Sequence, residues 1–284
     1  MTKHISIRSL SEHDLESADA ILKSAFQSPD SRLMELYLYR KIQPDGWFLA
    51  LQNRTPVGMV GATLYGTFAH VGMMAVHPRA QRQGVGIALM EHLLAWLDGL
   101  CVPCVLLDAS AAGQPLYEKL GFVAYHQVYR LQRRTGLSLH NCTPQVEPVS
   151  IRDLDELVAY DADIFGADRG RVLHALLTSY PARAFMLRSE AGRIAGYVFA
   201  QENHIGPWVV QRSQDAEVLL QAALSLPYAG TVSVVAPEEN PAAVELLSRY
   251  GFEIVRVNRH MGRGAGAPPR HRDRIYGQTS LALG

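Results

Sequence analysis

Six residues, Gln81-Arg82-Gln83-Gly84-Val85-Gly86, form the stretch whose types and spacing point most directly to chemistry. Glycines at 84 and 86 let backbone amides approach a ligand without interference from Cβ atoms. Behind them Ile87, Leu89, Met90, Leu93, Leu94 and Leu97 recur at helical spacing. The loop therefore opens a helix whose first N–H groups are unpaired and whose dipole presents its positive end. A site of that kind holds phosphate. Ahead of it, the apolar run from Val71 to Val76 reads as a strand, so the unit is strand, tight loop, helix.

The composition limits what such a site can serve. The chain has 284 residues, 48% hydrophobic and 19% charged, which is enough for one large or two ordinary globular domains. Lys plus Arg balances Asp plus Glu at 27 each, so no global basic field invites nucleic acid or an anionic membrane. No uncharged apolar run reaches spanning length and the N-terminal residues do not read as a signal peptide, so the expected location is cytoplasmic. Cys101, Cys104 and Cys142 are an odd set that does not suggest a disulfide framework. Cys101-Val102-Pro103-Cys104 has metal-type spacing but no second ligand pair near it, so no metal is expected.

Among the elements that must position the loop, His4 to Arg8 alternates as a first strand, and Ser11-Glu12-His13-Asp14 starts a helix through about Ser24. A second helix follows from Leu33 to Ile42. Trp47 to Leu51 and Val57 to Tyr65 read as strands joined by a turn. After the loop and its helix come a strand from Cys104 to Asp108 and a helix ending at Leu120. Phe122 to Tyr125 and Val128 to Leu131 read as two closing strands.

The loop resembles motif A of the GNAT superfamily of acyl-CoA-dependent N-acyltransferases, with Gln81-x-x-Gly84-x-Gly86 after Val76-His77-Pro78. Leu116-Tyr117-Glu118-Lys119-Leu120-Gly121-Phe122 resembles its motif B. The resemblance implies a mixed α/β sheet that splits around acetyl-CoA, the cosubstrate. It implies that Met74, Ala75 and Val76 meet the pantetheine arm and thioester oxygen through their backbones, as an oxyanion-type donor site. Gln81, Arg82, Gln83, Gly84, Val85 and Gly86 would cradle the pyrophosphate. Tyr117 takes the position of the proton donor to the departing thiolate, and Ser110 stands where the family often has an asparagine contacting pantetheine. No carboxylate lies on the strand ahead of the loop. Asp108, His70 and His77 are candidate bases that read as surface or capping residues, and an ordered water serves equally, so no base is assigned.

The pattern then starts again. Val149-Ser150-Ile151-Arg152-Asp153-Leu154 echoes Ile5-Ser6-Ile7-Arg8-Ser9-Leu10, and the stretch from Asn240 to Gly251-Phe252 echoes that from Ser110 to Gly121-Phe122. The expected organisation is tandem: residues 1–134 a catalytic GNAT-type domain, 135–148 a linker, 149–284 a degenerate GNAT-like domain. In the second copy Gln211-Arg212-Ser213-Gln214 replaces the glycine loop and Leu247 replaces the phenol, so it should bind acyl-CoA poorly or not at all. It would instead cover the acceptor side of the first copy. Phe26, Asp163 and Trp208 are candidate acceptor contacts, with Arg169 and Glu202 beside them and Ile164-Phe165-Gly166 as a wall. The glycine- and arginine-rich stretch from Gly262 to Arg272 reads as a mobile, solvated connector, and Ile275 to Leu283 as a last strand.

The function implied is transfer of the acetyl group of acetyl-CoA to a primary amine by direct attack in a ternary complex, in a monomer or homodimer. The partners are acetyl-CoA and a small amine, without nucleic acid or membrane. The rival is a non-catalytic acyl-CoA-binding sensor or interaction module, and a second rival is an enzyme acting only on macromolecular acceptors.

Overall fold

The computed structural model describes residues 4–133, 146–265 and 270–284. Most of the expected linker, and Cys142 with it, lies outside the described residues.

The first half runs β1 (Ile5–Ser9), α1 (Leu15–Phe26), α2 (Leu33–Ile42), β2 (Trp47–Gln52), β3 (Thr55–Leu64), β4 (Ala69–Val76), α3 (Val85–Gly99), β5 (Cys104–Ala109), α4 (Gln114–Lys119) and β6 (Val123–Arg133). The second half runs β7 (Glu147–Pro148), α5 (Leu154–Phe165), α6 (Gly170–Ser179), β8 (Ala184–Arg188), β9 (Ile194–Ala200), β10 (Ile205–Val210), α7 (Ser213–Leu224), β11 (Val232–Pro237), α8 (Pro241–Arg249), β12 (Glu253–Gly264) and β13 (Ile275–Gly277).

Helices α1 and α5 start identically. Asp14 accepts from the backbone N–H and hydroxyl of Ser11 at 2.8 and 2.6 Å, and Asp153 accepts from those of Ser150 at 2.9 and 2.7 Å. Each reciprocal cap closes a short 3₁₀ turn that leads into a helix of 12 residues. Ser150 thus occupies the place of Ser11, not that of Ser6. The likeness of Val149-Ser150-Ile151-Arg152 to Ile5-Ser6-Ile7-Arg8 is a local coincidence out of step with the fold, and the strand before α5 is the short β7.

The sheets do not divide where the chain divides. One eight-stranded sheet has the order β1-β2-β3-β4-β5-β12-β6-β11, and a five-stranded sheet has the order β13-β10-β9-β8-β7. Strand β12 of the second half lies antiparallel between β5 and β6 of the first, and β6 pairs on its other edge with β11. The two closing strands expected between Phe122 and Leu131 are one strand, β6. Register shifts against β12 at Ile254/Arg256 and His260/Met261 absorb the irregularity that made the stretch look like two. The neighbour that a second closing strand would supply comes instead from β12.

Helices α1, α2, α5 and α6 lie in a shared core with the inward faces of both sheets, where Leu22, Tyr39, Trp47, Met59 and Phe68 meet Leu157, Phe165, Leu173, Tyr197 and Phe199. Helix α3 packs on the opposite face of the large sheet through Val85, Leu89, Leu93 and Leu97. Leu219, Leu220 and Ala223 of α7 and Leu246 and Leu247 of α8 do the same in the second half. Each half therefore has an outer, helix-backed face and an inner face turned to its partner.

Candidate active site

Strands β4 and β5 run parallel, paired only from Ala69–Val71 to Val105–Leu107, and then part. A bulge marks the start of the parting: the β3–β4 register shifts between Met59 and Gly61, and Met73 takes a left-handed backbone at φ 53. Beyond the fork Ala75 and Val76 pair with Met59 and Gly58 of β3 on one edge only, and Met74 lies in the bulge itself. The second half has the same fork, marked by the parallel bridge of His204 to Ser233. There β13 fills it. Trp208 pairs with Gly277 and Val209 with Ile275, and the Gln278 N–H donates to Val235 O at 2.7 Å. The slot that stands open in the first half is closed in the second by the chain itself. The expected last strand from Ile275 to Leu283 is correspondingly only β13, and from Ser280 the chain bonds to the first half.

The motif loop sits at the mouth of the open fork. His77 Nδ1 accepts from Arg79 N–H at 3.3 Å and so caps a 3₁₀ turn, Pro78–Ala80, as read from sequence. Gln81 Nε2 donates to Val76 O at 2.9 Å and Gln83 Nε2 to Arg79 O at 2.7 Å, which ties the loop to the strand end and engages one of the Val76 backbone groups. Arg82 and Gly84 take φ of 60 and 84, so successive amides turn outward at the N-terminus of α3. A Cβ at Gly84 would meet nothing within 4 Å, so glycine is required there for its backbone angle rather than for space within the chain. At Gly86 a Cβ would stand 3.3 Å from Met74 Cε, a close approach between helix and strand. Gln81, Arg82, Gln83 and Gly84 are exposed and Val85 is buried beneath them.

Across the fork, Ser110 Oγ accepts from Gly113 N–H at 3.2 Å, starting the turn into α4. Tyr117, on α4, is buried with its ring edge-on to Phe122 at 5.9 Å. Burial pushes its phenol up to about 12, so it keeps its proton at neutral pH.

On the inner face, at the point where β4 and β5 separate, lies a buried polar cluster. Asp108 and His70 are not surface or capping groups: both side chains are fully buried, with His70 Nε2 3.7 Å from Asp108 Oδ2. His260, on β12 directly opposite Asp108, contacts Asp108 Oδ1 through Nδ1 at 2.7 Å. Gln278 Nε2 donates to Oδ2 at 2.9 Å, and Asn258 Nδ2 to the Asp108 carbonyl at 3.1 Å. Burial pushes the Asp108 carboxyl up, but its hydrogen bond with His260, followed by its contact with His70, more than offsets that and holds the group well below the ordinary carboxylate range. Burial, with repulsion from Arg272, brings His260 down to about 4, so at neutral pH it is an uncharged donor to an ionised Asp108. The ligand atoms of His70, Asp108 and His260 lie within 4.8 Å of one another, close enough for a metal ion, although the buried cations Arg270 and Arg272 oppose a dication.

Arg270 and Arg272 overturn the reading of their stretch as a solvated connector. The Arg270 guanidinium is buried, 5.2 Å over the ring of Phe68 and 4.6 Å over that of Phe165. Arg272 is buried and its Nε donates to Glu239 at 2.7 Å. The segment after β13 completes the wall: Tyr39 bonds Ser280 Oγ at 3.0 Å, Tyr65 OH donates to Leu283 O at 2.7 Å, and Ala282 packs on Gly72, where a Cβ would come within 2.4 Å of it.

The other candidates scatter. Phe26 is half-exposed at the end of α1, 5.8 Å from the Arg32 guanidinium. Asp163 is exposed on α5. Trp208 is fully buried against Tyr276 in the outer core of the second half, so its ring belongs to the α7 side and not to the face between the halves. Arg169 is buried in a saturated pair with Asp161, at 2.6 and 2.7 Å, and also bonds Tyr197 and Thr279. Phe165 does form a wall, touching Tyr65, Phe68 and Arg270. His260, Arg270 and Gln278 were not singled out as site residues, because strand exchange across the halves brings them there and no local spacing records it.

An open fork with a glycine loop at a helix N-terminus, repeated in closed form in the second half, defines the class. Residues 15–122 match the acetyltransferase (GNAT) family and residues 157–277 an acetyltransferase (GNAT) domain, and the chain belongs to the GNAT acetyltransferases. Among curated relatives, the holothin acyltransferase of Pseudoalteromonas sp. is 25% identical over 86% of this chain and 83% of its own length. The ribosomal protein bS18-alanine N-acetyltransferase of Escherichia coli is 35% identical over 41% of this chain and 79% of its own. A crystal structure of a proposed acetyltransferase from Pyrococcus horikoshii is 28% identical and superposes with a TM-score of 0.86 over 99% of this chain and 96% of that one. The protein is an acyltransferase of tandem GNAT architecture. No helix among the described residues is long and apolar enough to cross a membrane.

Proposed function

We propose that the first half transfers the acetyl group of acetyl-CoA to a small primary amine by direct attack in a ternary complex. The fork supports this reading most directly: it is open beside Met74, Ala75 and Val76 and is closed by β13 in the copy that lacks the glycine loop. CoA lies in the open fork with its pyrophosphate on the amides of residues 82–86 and the N-terminus of α3. The amine comes from the inner face, where Asp108 stands at the apex.

The amine nitrogen attacks the thioester carbon and a C–N bond forms. Negative charge gathers on the carbonyl oxygen, where a backbone N–H at the bulge stabilises it. The amine attacks as its uncharged form; Asp108, ionised and backed by His70 and His260, accepts a hydrogen bond from the nitrogen and orients its lone pair, and the proton shed as the amide forms passes to solvent. The C–S bond then breaks, and the CoA thiolate takes the Tyr117 phenol proton, which solvent restores as CoA leaves. The second half supplies the acceptor wall through Phe165, His260, Arg270 and Gln278.

The test is thiol release from acetyl-CoA across a panel of amines, for the wild type and Gly84→Asp. Turnover with one amine class, lost in Gly84→Asp, is expected. Tight acetyl-CoA binding without turnover on any amine would refute the transferase reading, and turnover confined to protein acceptors would refute the small amine.

A further inference from the structure

Buried polar atoms without hydrogen-bond partners gather around Asp108. They include both ring nitrogens of His70, Asn258 Oδ1, Gln278 Oε1, two nitrogens of Arg272 and all three of Arg270. A guanidinium stays charged at neutral pH, and burying it with its donors unmet is costly unless an occupant supplies acceptors. Arg169 gives the internal comparison. It faces the same Phe165 ring at 4.1 Å, yet its donors meet Asp161, Tyr197 and Thr279, so it serves the fold. Arg270 is held in place by the two rings alone, with its donor edge unclaimed.

We propose that the acceptor is a small zwitterion, a primary amine bearing a carboxylate as in an α-amino acid, with its carboxylate on Arg270 and its amine at Asp108. The inference rests on the transferase reading above and names the substrate class for the same site. The chemistry matches at both ends. A planar guanidinium packed against Phe68 and Phe165 presents paired donors to a carboxylate, and an ionised Asp108 attracts the ammonium end, which gives up its proton to solvent before the nitrogen attacks. A zwitterion adds no net charge to this buried cluster, whereas a simple amine would bring a cation next to Arg270 and Arg272. The N-terminus of a protein carries an amide where the amino acid has its carboxylate, and would leave Arg270 unmatched.

Thiol release is measured with three compounds sharing one side chain: an amino acid, its carboxamide, and the amine lacking the carboxyl group. Wild-type kcat/KM should fall by about 10- to 100-fold from the first to the other two, the size of a charge-assisted hydrogen-bond pair. Arg270→Gln should bring the amino acid down to the level of its carboxamide, with Arg270→Lys recovering part of the loss. Equal or better turnover of the uncharged analogues or of a peptide N-terminus, or an equal loss for all three compounds in Arg270→Gln, would overturn the proposal. If no amine is turned over, the transferase reading fails separately. Calorimetric binding of the three compounds in the presence of CoA then decides: carboxylate-dependent binding lost in Arg270→Gln upholds the acceptor class, and its absence rejects it.

Discussion

Acidification from about pH 7 to about pH 5 should destabilise this protein by roughly 4 kcal/mol through two buried imidazoles, His204 and His260. His204 lies between Ser233 Oγ at 3.1 Å and the Gln278 carbonyl at 3.0 Å, and His260 between Asp108 and the cations Arg270 and Arg272. Burial brings each down to about 4, against about 6.5 for a free imidazole. The sign follows from proton counting. Below about 6.5 the unfolded chain binds protons that the folded chain refuses, so stability falls with pH until the folded groups also titrate near 4. Each histidine then costs about 2 kcal/mol at pH 5 and about 3 kcal/mol at pH 4. Asp108, held low, keeps its charge through this window and adds its own loss only in stronger acid. Urea unfolding at a series of pH values reads the effect as a falling midpoint at constant slope. The double variant His204→Asn, His260→Asn should be less stable at pH 7 and nearly flat from 7 to 5. A wild type equally stable at both pH values, or a double variant with the same decline, would refute the assignment of these groups.

Two further outcomes follow from the fold and the fork. Expressed separately, residues 1–133 and 146–284 should each fail to give a stable fold, because β6 pairs only with β11 and β12, while the intact chain should melt in one cooperative step. A folded, acetyl-CoA-binding first half would contradict this. Tyr117→Phe should lower kcat by about 10- to 100-fold with little change in acetyl-CoA affinity, read by steady-state thiol release. A Tyr117→Phe enzyme at full rate would remove the phenol from the proton path.

The parts of the site written in contiguous residues were legible, and those made by exchange were not. Gln81-x-x-Gly84-x-Gly86 encodes its own backbone turn, and Tyr117 follows from its distance to Gly121-Phe122, so the outer face of the fork could be read directly. The elements around it follow from periodicity, with α2 matching the expected span. Asp108 and His70 looked like surface groups because nothing near them in the chain pairs with them, and their partners His260 and Gln278 arrive on β12 and after β13. Arg270 and Arg272 lie in a stretch whose composition is that of a solvated loop, and only Phe68, Phe165 and Glu239 make burial tolerable there. Trp208 failed in the opposite sense: an aromatic beside a lost cofactor loop suggested a pocket, but strand alternation turns it outward under α7. The echo of Ile5-Ser6-Ile7-Arg8-Ser9-Leu10 in Val149-Ser150-Ile151-Arg152-Asp153-Leu154 misled because a short run of matched residues weighs less than one reciprocal cap, Ser150 with Asp153.

The claim that one fork is open and the other closed by β13 is tested most directly by titrating the intact protein with acetyl-CoA in a calorimeter. One site per chain, abolished by Gly84→Asp, is the predicted result. Two sites per chain, or a single site that survives Gly84→Asp, would place the cofactor elsewhere and contradict the account.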